Sequence, residues 1–291
     1  MNLYVSNYLS KSIGVINLES LKLEEIIQIG ENIYPHHFFV DIGESRAYIP
    51  NSIDGMLFVI DIRSKKIIES TSVGGSPTRI ILNDEDIYLA NQDTDSINIF
   101  NRRDLSPVAL IKVGSMPHGF DISEEKKKLY VPCRDMLVCI DIEKKAIDSI
   151  RKLDYRLWHL KIDPKKSELY ATTIDGKLIV FDQDTFEIKA VLDGMVLPVE
   201  IGIDYVNKRV YVTDLGYGGV WVIDYDTKKI VDCIKICGTA QGLLVLDEIG
   251  LMFVTDTENN CVNVYGTGDL RLKKKIDVGK EPTSIIREQA L

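Results

Sequence analysis

The chain has 291 residues, is 45% hydrophobic and 27% charged, and carries a formal charge of −9, the balance of a soluble globular protein with ample material for a core. That acidity argues against nucleic acid as a partner, because nucleic-acid binders display basic patches, and no apolar run approaches the ~20 residues of a membrane span. The opening residues, MNLYVSNYLSKS, lack the charged start, apolar stretch and small-residue cleavage site of a secretory signal, so a cytoplasmic location is expected.

Strand-like runs recur in chain order. The Leu3-Tyr4-Val5 run returns as AYI at Tyr48, IYL at Tyr88, LYV at Tyr130, LYA at Tyr170, VYV at Tyr211 and MFV at Phe253, the aromatic positions being 44, 40, 42, 40, 41 and 42 residues apart. About ten residues after each comes a second run, such as LFVIDI, LVCIDI and VWVIDY. A third ends in a Gly-containing turn, as in STSVGGSP, LIKVGSMP and KIDVGKEP. The runs are short, rich in Val, Ile and Tyr, and separated by hairpin sequences such as Ser52–Gly55 and Thr173–Gly176, the mark of strands. No segment holds a 3.6-residue period, so almost no helix is expected.

Four strands per repeat of roughly 41 residues, seven times over, predict an all-β fold: a single seven-bladed β-propeller of four-stranded antiparallel blades over residues 1–291. Blade 1 takes 1–30 plus 282–291; blades 2 to 7 take about 36–73, 77–113, 117–152, 157–193, 198–237 and 240–279. The chain starts on a second-strand sequence and ends on Pro282–Glu288, an innermost-strand sequence. The C-terminal strand is therefore expected to complete the N-terminal blade and close the ring, removing the apolar faces an open array would expose.

The five cysteines, Cys133, Cys139, Cys233, Cys237 and Cys261, are expected to be free thiols used as small core residues. Cys233 and Cys237 on one strand face would stand roughly 13 Å apart, too far for a disulfide. Lysine runs at Glu124–Val131 and Arg271–Val278 alternate with acids and read as solvated turns. The chain has no GxSxG, no P-loop and no GxGxxG after a strand, which leaves covalent catalysis and nucleotide binding without support.

VYVTDLG (Val210–Gly216), VWVID (Val220–Asp224) and LYVSN, AYIPN and IYLAN, ending at Asn7, Asn51 and Asn91, resemble the repeats of the YVTN-type seven-bladed propellers, and the likeness runs along the whole chain. It implies the propeller fold. Related propellers include lactonases, lactonising enzymes and a lyase, so activity does not follow from the fold.

In a propeller the turns leading into the innermost strands surround one mouth of the central channel. These lead-ins are PHHF (Pro35–Phe38), PTRI (Pro77–Ile80), PHGF (Pro117–Phe120), LWHL (Leu157–Leu160), PVEI (Pro198–Ile201), AQGL (Ala240–Leu243) and PTSI (Pro282–Ile285). All four histidines of the chain, His36, His37, His118 and His159, fall in the two middle columns, with Arg79, Trp158, Glu200 and Gln241. Of His36 and His37, one position apart, only one is expected to point inward. The columns predict a channel-mouth site. His159, Glu200 and His37 are the candidate catalytic acid–base groups, and His36, Arg79, His118, Trp158 and Gln241 the candidate ligand contacts. His37, His118, His159 and Glu200 are candidate ligands for a divalent metal ion. The occupant is a metal or a small polar or anionic molecule, with lactone-type or elimination chemistry in view. The alternative is a non-catalytic scaffold that binds a protein partner.

Two residues further along the strands stand Phe39, Ile81, Asp121, Lys161, Gly202, Leu244 and Ile286, where Asp121 and Lys161 are expected to form a buried pair. The hairpins on the mouth face carry Asp54, Asp93, Asp95, Asp135, Asp175, Asp214 and Asp256, mostly as turn formers, with Tyr8, Arg134 and Tyr217. The loop Leu215–Gly219 is long enough to cover the mouth.

Overall fold

The Val-, Ile- and Tyr-rich runs form strands, and the hairpin sequences close them. At Gly55, in the first such hairpin, φ is +69° and an added Cβ would stand 2.9 Å from the Gly75 carbonyl oxygen, so only glycine fits without strain. The computed structural model describes residues 1–290; Leu291, part of the expected closing segment, lies outside the described residues.

The strands form seven four-stranded antiparallel sheets arranged as the blades of a β-propeller. Blade 1 runs, from the axis outwards, through Pro282–Arg287, Asn2–Asn7, Ser12–Asn17 and Lys22–Gln28. The C-terminal strand thus pairs with the first strand of the chain and closes the ring. Blades 2 to 7 follow in sequence, with innermost strands Phe39–Asp41, Pro77–Leu82, Asp121–Ser123, Leu157–Asp163, Pro198–Asp204 and Ala240–Leu246. Among the described residues the only helix is a 3-10 turn, Asp247–Ile249. It is not long and apolar enough to cross a membrane.

The core lies between the blades. Seven clusters of buried apolar side chains each join residues of two neighbouring blades; one pairs Phe39, Tyr48, Leu57 and Val59 with Ile80, Leu82, Ile87 and Leu89. The last joins Leu3, Val5 and Ile16 of blade 1 to Phe253, Val262 and Val264 of blade 7. Both faces of a blade are thereby covered, which is why its middle strands read as continuous apolar runs. Cys133, Cys139 and Cys261 are buried as small core residues, whereas Cys233 on an outer strand and Cys237 in the turn after it are exposed. All five are free.

The hairpin acids do more than form turns. Asp135, Asp214 and Asp256 accept backbone N–H groups from the segments leading into their own blades: Ser115 at 3.0 Å, Val196 and Leu197 at 2.8 Å, Thr239 at 3.2 Å. Asn51 and Asn91 do the same for Tyr34 and Ser76. An asparagine or aspartate at the end of the second strand, or in the hairpin after it as with Asp135 in blade 4 and Asp175 in blade 5, therefore pins the loop that delivers the candidate site residues.

Candidate functional site

The third lead-in column is aimed by β-bulges. Blades 3, 5 and 6 shift register between Pro77 and Ile80, Leu157 and Leu160, and Pro198 and Ile201. The extra residue in each bulge redirects a side chain, here Arg79, His159 and Glu200. A hydroxyl on the second strand holds the bulge in blades 5 and 6. Thr172 Oγ1 accepts the His159 N–H at 3.2 Å and donates to the Val199 carbonyl at 3.1 Å; Thr213 Oγ1 accepts from Glu200 N–H and donates to the Gln241 carbonyl. Each links its own blade to the next.

Blades 2 and 4 behave differently. Their second strands carry Pro50 and Pro132 in that column, with neither hydroxyl nor N–H to hold a lead-in. Their innermost strands start only at Phe39 and Asp121, and the freed segments bring His36, His37 and His118 inward. His36 is fixed by the closing blade, where Ser6 and Thr283 hydroxyls donate to its carbonyl at 3.0 and 3.2 Å. Gly119 pairs with His159 of the neighbouring blade, its N–H donating to the Trp158 carbonyl at 2.9 Å.

The four imidazoles meet. Ring centroids are 4.5 Å apart for His36 and His37, 4.7 Å for His118 and His159, and 5.6 Å from His37 to both His118 and His159. Trp158 lies edge-on to His118 and His159 at 5.7 and 5.6 Å. Arg79 Nη1 donates to Glu200 Oε1 at 2.8 Å and to His37 Nδ1 at 3.2 Å, and His159 Nδ1 stands 3.4 Å from the same carboxylate oxygen. Ligand atoms of His36, His37 and His118 lie within 4.8 Å of one another, as do those of His37, His159 and Glu200. His37, His118 and His159 are buried. The His37 Nε2 and His118 Nδ1 atoms are buried without a hydrogen-bond partner.

Burial, reinforced by His159, pushes His36 down to about 4. Burial also holds His37 and His118 well below the usual imidazole range, with neighbouring imidazoles and Arg79 adding to the effect. All three are neutral at pH 7, the form that ligates metals. Burial alone would raise the Glu200 carboxyl, but Arg79 and then His159 outweigh it and hold the group well below its ordinary value. A guanidinium only donates, so His37 Nδ1 must accept and its proton sits on the unpartnered Nε2.

Several expectations are corrected. Both His36 and His37 face the cluster, because residues 35–38 lie outside the strand and strand alternation does not govern them. The Gln241 side chain makes no hydrogen bond to the cluster among the described residues; its carbonyl accepts from Thr213, and Gly242 beside it is pressed against blade 1, 2.8 Å from Thr283 O for an added Cβ. Asp121 and Lys161 pair at 3.2 Å, but the lysine side chain is 46% exposed, so the pair lines a space and is not buried. Tyr217 does not cover the mouth; its ring lies on Trp221 at 4.6 Å, with Lys235 over it. Tyr8 borders the cluster, 6.3 Å from His36. Sequence reasoning missed Thr172, Thr213, Ser6 and Gly119. Their signal was a Ser/Thr column just before the Asn/Asp column, and a glycine where other blades place a side chain.

No family model matches this sequence. No curated protein matches it either. Solved structures do match in fold. A Lactobacillus plantarum protein aligns over 98% of this chain and 99% of its own at TM-score 0.82 and 13% identity. A Bacteroides fragilis protein described as a candidate 6-phosphogluconolactonase aligns over 98% and 97% at 0.79 and 17% identity. Hydrazine synthase from Kuenenia stuttgartiensis aligns over 86% and 88% at 0.75 and 16% identity. At these identities the likeness concerns the propeller fold alone.

Proposed function

We propose that the cluster binds a divalent transition-metal ion such as zinc at the top of the channel. One observation carries this reading: three neutral imidazoles, His36, His37 and His118, hold ligand atoms within 4.8 Å of one another, and His118 buries its Nδ1 with no partner. Tetrahedral zinc with Zn–N near 2.0–2.1 Å sets its nitrogens about 3.4 Å apart, so small ring rotations bring the trio into range. His159 and Glu200 supply further ligands through the second group, which shares His37. The repeat sequences support placing the chain with the YVTN-type propellers.

A second reading rests on His159 and Glu200. The carboxylate faces His159 Nδ1 and leaves Nε2 to act as a base, beside a guanidinium able to hold an oxyanion. That set suits opening or closing a small lactone, the chemistry named for the Bacteroides fragilis neighbour.

Mass spectrometry of tag-free protein purified without chelator, then dialysed against zinc, tests the metal. Near-stoichiometric metal in the parent and under about a tenth of that in His118→Ala is expected. Equal content in both, or none in the parent, sinks the metal reading and turns attention to lactone hydrolysis assays with His159→Gln.

A further inference from the structure

Below the histidine cluster lies a cavity of about 780 Å³, within the range of small-molecule sites. His37 and Arg79 line its closed end, and Phe39, Ile81, Ile286 and the Asp121–Lys161 pair line its wall. It continues past Asn83, Asp84, Glu85 and Glu124, in turns that follow innermost strands. It therefore opens on the face opposite the lead-in turns. The void is lopsided. No residue of blades 6 or 7 lines it; at Gly202 of blade 6, Val245 and Leu243 of blade 7 stand 2.5 and 3.2 Å from where a Cβ would be, in the packed interface between those two blades.

Arg79 uses only Nη1, on Glu200 and His37. Its Nε and Nη2 donors have no hydrogen bond among the described residues, and the side chain is 25% exposed where the cavity ends. The acids deep in the site are already paired, Glu200 with Arg79 and Asp121 with Lys161, so a cationic ligand finds no free counter-charge there. At the rim the cations are spoken for: Lys127 pairs with Glu124, Lys145 with Asp86 and Arg287 with Glu248. Asp84, Glu85 and Glu143 have no ion-pair partner among the described residues, so the rim repels a polyanion.

We propose that this chamber binds a small organic monocarboxylate with an apolar chain. The carboxylate takes the open Nε–Nη2 fork of Arg79, a bidentate geometry, and the chain lies along Phe39, Ile81 and Ile286. This does not rest on a bound metal, and the test is done on chelator-treated protein so that failure of the metal site leaves it readable.

Titration calorimetry with octanoate, octylamine and inorganic triphosphate separates the possibilities. Octanoate is expected to bind one-to-one, and neither octylamine nor triphosphate to bind detectably. Arg79→Gln is expected to weaken octanoate about tenfold or more. Ile81→Trp, which crowds the chamber while leaving the Arg79 guanidinium in place, is expected to abolish binding. Circular dichroism checks that both variants are folded; if one is not, the other decides. The proposal is overturned if the parent does not bind octanoate, if octylamine binds as tightly, or if the folded variants bind as the parent does.

Discussion

Gly119 and Arg79 show how much the site depends on single atoms. An added Cβ at Gly119 would stand 2.5 Å from His159 Nδ1 and 2.6 Å from its Cγ, so the histidine occupies the space a side chain would need. Gly119→Ala is expected to cost about 1–3 kcal/mol by overpacking, read from urea unfolding, and to lower zinc affinity through displacement of His159. Arg79 fixes the tautomer that leaves a proton on His37 Nε2, and so competes with a metal for that ring. Arg79→Ala is therefore expected to tighten zinc binding about tenfold while weakening octanoate. Opposite signs from one substitution, measured by calorimetry with each probe, distinguish a counter-charge from a metal-supporting residue.

At the scale of the strand, the device is local disruption. Bulges aim Arg79, His159 and Glu200, while prolines in the second strands of blades 2 and 4 accompany lead-ins that leave the ladder. The closing strand Pro282–Arg287 contributes twice: it pairs with Asn2–Asn7, and its Thr283 hydroxyl holds the His36 carbonyl. Deleting residues 282–290 should thus damage fold and site together. Calorimetry is expected to lose the parent's unfolding transition, and a soluble, fully cooperative truncated protein would contradict this. The lead-in columns were legible in the sequence, whereas the role of the Pro and Thr column beside them was missed. The bulges were not, since register shifts depend on how a strand meets its neighbour, and period-two alternation wrongly separated His36 from His37.

At the scale of the molecule, the buried neutral imidazoles tie stability to pH. In the unfolded chain they protonate near 6.5. In the fold His36 is held down to about 4, and His37 and His118 well below normal. The unfolded state therefore binds more protons below pH 6.5, and stability falls as pH falls. Between pH 7 and pH 5 the unfolding midpoint is expected to drop roughly 5–10 °C, and the combined His36→Gln, His37→Gln and His118→Gln protein to show a flatter profile. Parallel profiles would show that these rings are not buried neutral.

The sequence by itself determined the repeat, the seven blades and the ring closure. Each blade is a local hairpin pattern, and its two apolar faces admit no exposed end. It also determined that the histidines share one end of the channel, because the repeat carries equivalent positions to equivalent places around an axis. Only the tertiary structure decided that Arg79 of blade 3 meets Glu200 of blade 6, 121 residues away. It alone opened the cavity from the opposite face. Those outcomes depend on how neighbouring blades pack, such as Val245 against Gly202, and no single repeat encodes what stands across the axis from it.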